Sequence, residues 1–369
     1  MPSRGETHRK QCLCQVWQLT TVGVRQRALG EFMLLNIQAL RAIAALLVVL
    51  VHSKGMLQTA GVDAGALGFG IAGVDLFFVI SGFIMVYMTS GRETTPGKFA
   101  INRVVRIVPL YWLVTFAVFA VALVAPALVK ATRPDIVELL KSMFFIPYVK
   151  SNGMTQPVAF VGWTLNYEMF FYALFAVGLT LGRKGVPAVI AVIAGLVALH
   201  PWATSPIASF YTNPILLEFA TGMVIGRAYP YLRGSYGLPL LLIGFGFIFA
   251  APSLWPDAHR AWIFGAPSIL VVVGALMLER NGRSTSRLQL LGDASYSIYL
   301  THFFVTQAAK KLFSFVEPSV PMAILFMLAA FVGAAIVGVL VHLWVERPAT
   351  EAVRRLLKRR PAPLVPAAW

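Results

Sequence analysis

Charge is scarce in this sequence, and acids are scarcer than bases. Asp, Glu, Lys and Arg make up only 12% of its 369 residues, where soluble domains carry roughly 25%. With 58% hydrophobic residues and a mean hydropathy of +0.75, there is too little polar surface to cover a water-soluble fold, which excludes a pair of ordinary soluble domains. The 15 acids against 31 bases leave a formal charge of +16. Those bases sit in short runs between apolar blocks, the pattern of inner membrane loops, so nucleic-acid binding is excluded. There are two cysteines, Cys12 and Cys14, without a partner motif; neither a disulfide framework nor a metal site follows. No apolar core with a small-residue cleavage site opens the chain, so a signal peptide is excluded. No internal repeat is visible, and the inverted-repeat signature of many transporters is therefore absent.

Apolar blocks are present in quantity. Windows of about 19 residues predict spans over 36–51, 65–87, 104–129, 160–181, 186–199, 214–229, 238–254, 261–278, 294–315 and 320–344. The expected fold is an all-α, polytopic membrane bundle of about ten transmembrane helices. The apolar stretch 136–148 is too short to cross, and is expected to lie at the interface or to fold back into the bundle. Residues 1–32 read as a polar, basic segment outside the native protein, with Met33 a candidate start; 33–348 form the membrane domain, and 349–369 a basic, Pro-rich tail. Ten spans put both termini on one side, and that side collects 22 of the 31 Lys and Arg against 8 on the other, with Arg41 inside the first span. The bias predicts both termini in the cytoplasm.

Ionisable side chains inside spans cost roughly 2.5–3.5 kcal/mol each on insertion scales and read as functional by default. Arg41 and His52 are eleven residues apart, about 1100° of helical rotation, so they share one face some ~16 Å apart along the axis. The bland alternative is a snorkelling Arg41 and a helix-capping His52. Asp75 lies among aromatics in the second span, followed by Ser81 and Gly82; the carboxylate requires a buried cationic or hydrogen-bonding partner, while the small residues favour close packing. Arg103 and Arg106 open the third span, three residues apart, where two guanidinium forks can hold phosphate oxygens. A positive-inside anchor with Tyr111 and Trp112 as an aromatic belt is the rival reading. Glu168 lies in a ring-rich segment with Trp163, Tyr167 and Tyr172, and an anchor needs no acid there. Glu218 follows, and then Tyr299 and His302, three apart and able to meet on one face.

Together these segments resemble the acyltransferase-3 family of integral membrane acyltransferases, and within it the exopolysaccharide O-acetyltransferases of the succinoglycan type. The resemblance rests on Arg-x10-His (Arg41, His52), the Asp75–Gly82 block, Arg-x-x-Arg (Arg103, Arg106), Trp163–Glu168, Ser295–His302 and the closing Glu-Arg-Pro (Glu346–Pro348).

It implies acyl transfer, with acetyl favoured, from acyl-CoA (acetyl-CoA) as co-substrate and with no permanently bound cofactor. The implied acceptor is a polysaccharide or lipid-linked oligosaccharide hydroxyl at the bacterial inner membrane, and exopolysaccharide assembly proteins are implied partners beside the lipid bilayer itself. On that reading Arg41, Arg103 and Arg106 bind the nucleotide end of CoA and His52 is the general base. Either Asp75 or Glu168 orients it, a choice the sequence leaves open, and an acyl-histidine is the competing route. Trp163, Tyr167, Tyr172, Ser81, Tyr299 and His302 line the site. All of this expects His52 and the three arginines to border one cavity. A transporter or flippase of lipid-linked sugars uses the same buried charges without CoA, and a structural subunit of an export complex uses them for assembly alone.

Overall fold

A computed structural model of the chain describes residues 34–91, 94–129, 132–255 and 259–358. Cys12, Cys14, the 1–32 segment, Arg92, Lys130 and the Pro-rich end after Arg360 lie outside the described residues.

Ten helices of thirteen residues or more occupy the ten apolar stretches: α1 Leu35–Ser53, α2 Ala72–Thr89, α3 Pro96–Val124, α4 Trp163–Leu179, α5 Gly185–Ala198, α6 Leu216–Ala228, α7 Gly237–Leu254, α8 Ala266–Arg280, α9 Ser295–Phe313 and α10 Val320–Val341. The protein is a polytopic helical membrane protein. Six helical stretches among the described residues are long and apolar enough to cross a bilayer: those of α1, α2, α3, α7, α8 and α10. The helices α4, α5 and α6 have only 17, 14 and 13 residues, and α9 carries Lys310 and Lys311 in its last turn.

Two boundaries differ from the hydropathy reading. α3 begins at Pro96, eight residues before the apolar window, because Thr95 caps it by accepting from the Lys98 amide and Pro96 occupies the first helical turn. Arg103 and Arg106 therefore lie in its second and third turns rather than at its mouth. At the other end of the chain, α10 continues through a π-helical turn, His342–Glu346, into a twelve-residue helix, α11, Arg347–Lys358, so the first part of the expected tail is helical.

Close contacts between small residues bring the helices together. A Cβ on Gly82 of α2 would lie 2.1 Å from the Phe219 carbonyl of α6, and one on Gly222 would lie 2.2 Å from the Val79 carbonyl. Only glycine permits this crossing, which is the packing role expected of Gly82.

Polar ties then fix the register. The Glu279 carboxylate of α8 accepts the Leu35 and Asn36 amides at 2.8 and 2.7 Å, closing the exposed N–H groups at the start of α1. In the closing motif, Glu346 accepts from Ser297 at 2.6 Å and from His342 at 2.8 Å, joining α10 to α9. The Tyr296 hydroxyl donates to the Ile107 carbonyl at 2.7 Å, joining α9 to α3. The short helix Ile136–Met143 folds back on α3, whose Tyr111 and Trp112 donate to the Ser142 and Met143 carbonyls at 3.1 and 3.0 Å.

Candidate active site

A cavity opens among α1, α2, α3, α4 and α9. Arg41, Ser81, Arg103, Arg106, Glu168 and Tyr172 supply most of its polar wall. Helical spacing explains each pairing: Arg103 and Arg106 are one turn apart on α3, as are Glu168 and Tyr172 on α4. The Tyr172 hydroxyl donates to Glu168 Oε1 through a short hydrogen bond, and Ser81 donates to the same oxygen at 3.3 Å.

Positive charge dominates this space. The Arg103 guanidinium lies over the rings of Phe99 and Tyr172, 5.5 and 5.8 Å from their centroids, and its buried Nε has no hydrogen-bond partner among the described residues. Arg41 donates to Gln38 at 3.2 Å. Among the described residues none of the three arginines forms an ion pair. Three cations facing one carboxylate in a partly desolvated cleft make a binding place for a polyanion.

His52 does not line this cavity, contrary to the sequence expectation of one shared space. Phe77, Thr164 and Tyr299 form the wall toward it. Tyr299 is pinned there by hydrogen bonds to Thr164 at 2.7 Å and to the Val161 carbonyl at 2.8 Å. Behind Tyr299, its ring 5.9 Å away, stands His302, and the His52 ring is 5.0 Å from that of His302. The half-buried His52 also packs against Phe160, 5.7 Å between centroids, so it faces the bundle.

Nor does a carboxylate orient His52. Its Nδ1 lies 2.8 Å from the Val48 carbonyl. A carbonyl can only accept, so Nδ1 carries the proton of the neutral ring and Nε2 keeps its lone pair. His302 is held the same way, with Nδ1 2.6 Å from the Tyr299 carbonyl and a buried Nε2 that has no partner among the described residues. The two carboxylates proposed for that task are engaged elsewhere: Glu168 by Tyr172 and Ser81, and Asp75 by Arg260, whose Nε and Nη2 donate to its two oxygens at 3.1 and 2.7 Å.

Arg260 was not singled out by the sequence, although a lone basic residue between two spans, beside a buried acid needing a cation, is the signal that would have found it. Glu218 joins the same group, facing both Asp75 and Arg260. Trp163 and Tyr167 stand apart from the cavity; Tyr167 stacks on Phe210 at 3.9 Å and Trp163 meets Tyr167 edge-on at 6.0 Å.

A family model described as an acyltransferase domain, that of acyltransferase family 3, matches residues 34–343. The chain belongs to this family. The acyltransferase is 38% identical over 296 residues to the exopolysaccharide production protein ExoZ of Rhizobium meliloti, a match covering 76% of this chain and 89% of that protein. It is 27% identical to the acyltransferase MdmB of Streptomyces mycarofaciens, over 80% of this chain and 84% of that one. Against the peptidoglycan O-acetyltransferase OatA of Listeria monocytogenes it is 23% identical over 80% of its own length, and spans 53% of that protein. No solved structure matches the chain.

Proposed function

We propose that this acyltransferase moves an acetyl group from acetyl-CoA, bound from the cytoplasmic side, to a hydroxyl of an exopolysaccharide or its lipid-linked repeat unit, in the bacterial inner membrane. The observation that carries the donor is the set of three guanidinium groups in one cavity, none with an ion-pair partner among the described residues. A nucleotide diphosphate with a further phosphate supplies the charge that these groups lack, and bidentate Arg contacts suit phosphate oxygens. The positive-inside bias of the sequence puts the same end of the bundle in the cytoplasm.

For the thioester to reach His52, ~16 Å along α1 from Arg41, the Tyr299 side chain that closes the cavity on that side has to swing aside and admit the thin pantetheine arm. At His52 the Nε2 lone pair takes the proton of the acceptor hydroxyl as its oxygen forms a bond to the thioester carbonyl carbon. The carbon–sulfur bond breaks, and the imidazolium returns the proton to the departing thiolate. The resemblance of the chain to an exopolysaccharide production protein supports a glycan as acceptor.

Calorimetric titration of the purified protein with CoA, beside transfer of radiolabel from acetyl-CoA to lipid-linked oligosaccharides, tests the proposal. Saturable CoA binding that falls at least about tenfold in Arg103→Ala/Arg106→Ala is the expected result, since charge-assisted hydrogen bonds are each worth ~1.5–3 kcal/mol. A protein that binds no CoA while moving lipid-linked sugars across vesicles would instead be a flippase.

A further inference from the structure

A second pocket shares no lining residue with the arginine cavity. Its polar wall is His200, Asn213, Glu218, His259 and Arg260. It lies at the end of the bundle that carries His52: Arg260 holds Asp75 in the first turn of α2, and the start of α2 packs on the last turns of α1, where a Cβ on Gly73 would meet the Val48 side chain at 2.9 Å.

The hydrogen bonds already made decide what each group has left to offer. Thr212 donates its hydroxyl proton to the Ala208 carbonyl, so the 3.0 Å contact between His200 Nδ1 and Thr212 Oγ1 requires the proton on Nδ1. That leaves His200 Nε2 as an acceptor. His259 Nδ1 accepts the Ala261 amide at 3.3 Å, which puts the ring proton on Nε2 as a donor. Asn213 spends its Oδ1 on the Ile215 amide at 2.9 Å, leaving its amide donors. Arg260 uses Nε and Nη2 on Asp75 and keeps Nη1. Glu218 is 5% exposed, and its buried Oε2 receives no hydrogen bond from the described residues.

The wall thus presents acceptors and donors side by side, with a buried carboxyl oxygen awaiting a donor. The charge of Arg260 is already matched by Asp75, so the wall keeps no unmatched cation for an anionic ligand, and an acyl chain would leave the polar groups unpaired. A hydroxyl both donates and accepts, so a polyhydroxylated ring satisfies the whole set. We infer that this pocket holds a neutral sugar unit of the acceptor chain, through its hydroxyls, on the face of the membrane opposite the donor. This rests on the acyl-transfer reading for the word acceptor; the sugar-binding chemistry stands on the pocket alone.

The test uses the full chain in detergent. Binding of a panel of neutral hexose oligosaccharides, with hexuronic-acid oligomers beside them, is measured by saturation-transfer NMR and titration for wild type, Glu218→Gln, Asn213→Ala and His200→Phe. Thermal midpoints and CoA binding verify that each variant is folded. The expected result is saturable binding of a neutral oligosaccharide, weakened about tenfold in Glu218→Gln and in at least one of the two other variants, which sit in connections outside the long helices. Binding equal in wild type and all three variants, binding of the acidic oligomers alone, or no sugar binding would overturn it. Acetyl transfer to the same sugar is followed in parallel. Transfer that persists with pocket-independent binding defeats the pocket and spares the acyl-transfer reading, whereas pocket-dependent binding without any CoA-dependent transfer does the reverse.

Discussion

His52 and His302 stand 5.0 Å apart between ring centroids, tilted by 57°, each with Nδ1 on a backbone carbonyl of its own helix. Two helices thereby present two imidazoles in the same tautomer, and neither depends on a carboxylate for its orientation. His52 is half-buried and His302 fully buried, so on the proposed mechanism His52 is the base and His302 braces it. His52→Ala is expected to lower acetyl transfer by about 10²–10⁴, the range of a lost general base. His302→Gln should lower kcat by a smaller factor and leave CoA affinity unchanged. Steady-state kinetics with a CoA titration separates the two; a rise in the CoA dissociation constant of His302→Gln would place that ring in the donor site instead.

Arg103 lies over two rings while its Nε stays unpaired. A planar, delocalised cation suits that stacked place and an ammonium does not. Arg103→Lys keeps the charge, yet it is expected to lose most of the CoA affinity lost in Arg103→Ala, with a difference between the two of under about 1 kcal/mol. Titration of both variants at two salt concentrations checks this. Recovery of wild-type affinity in the lysine variant would reduce the role of Arg103 to a point charge.

Much of the architecture was legible because hydropathy is a local property: each apolar block became a helix, and spacing put Arg103 and Arg106 on one turn of α3, whereas the meeting of Arg41, Arg103, Arg106 and Glu168 around one cavity is a product of packing that no spacing gave. The α3 start was misread because the window average fell on Lys98, Asn102 and Arg103, whereas Thr95 and Pro96 were the true punctuation. What no local pattern carries is pairing across the chain. Asp75 and Arg260 meet over 185 residues, and Tyr299 separates His52 from the arginines by a side-chain position rather than by any spacing. The expectation that Asp75 or Glu168 orients His52 failed for that reason.

Asp75 is wholly buried, while its partner Arg260 is one third exposed. The two ends of the pair should therefore not be equivalent. Arg260→Gln leaves a carboxylate sealed in the bundle beside Glu218, and is expected to cost ~3–5 kcal/mol of stability. Asp75→Asn leaves a guanidinium that can turn toward water, and should cost clearly less. Thermal unfolding of both variants in one detergent orders them, and equal losses would overturn the expected asymmetry.

Lys150, outside the long helices, is 3% exposed and donates to the Thr132 hydroxyl and the Val158 carbonyl at 3.0 and 3.3 Å. Burial pushes its amino group down to about 8, with Glu138 offsetting part of the shift. In the unfolded chain a lysine titrates near ~10.4. Between these values the unfolded state binds more protons than the folded one, so stability rises with pH. The contribution is fully present above about 10.4 and is lost as pH falls through about 8, an overall span of about 3 kcal/mol. Lys150→Met removes the titration along with two hydrogen bonds, a loss that does not change with pH. The wild-type protein should therefore gain on Lys150→Met as pH rises from about 8 to about 10, measured as the difference between their thermal midpoints. A difference that stays flat over that interval would mean that the ammonium remains charged in its buried place, held by its two oxygen acceptors.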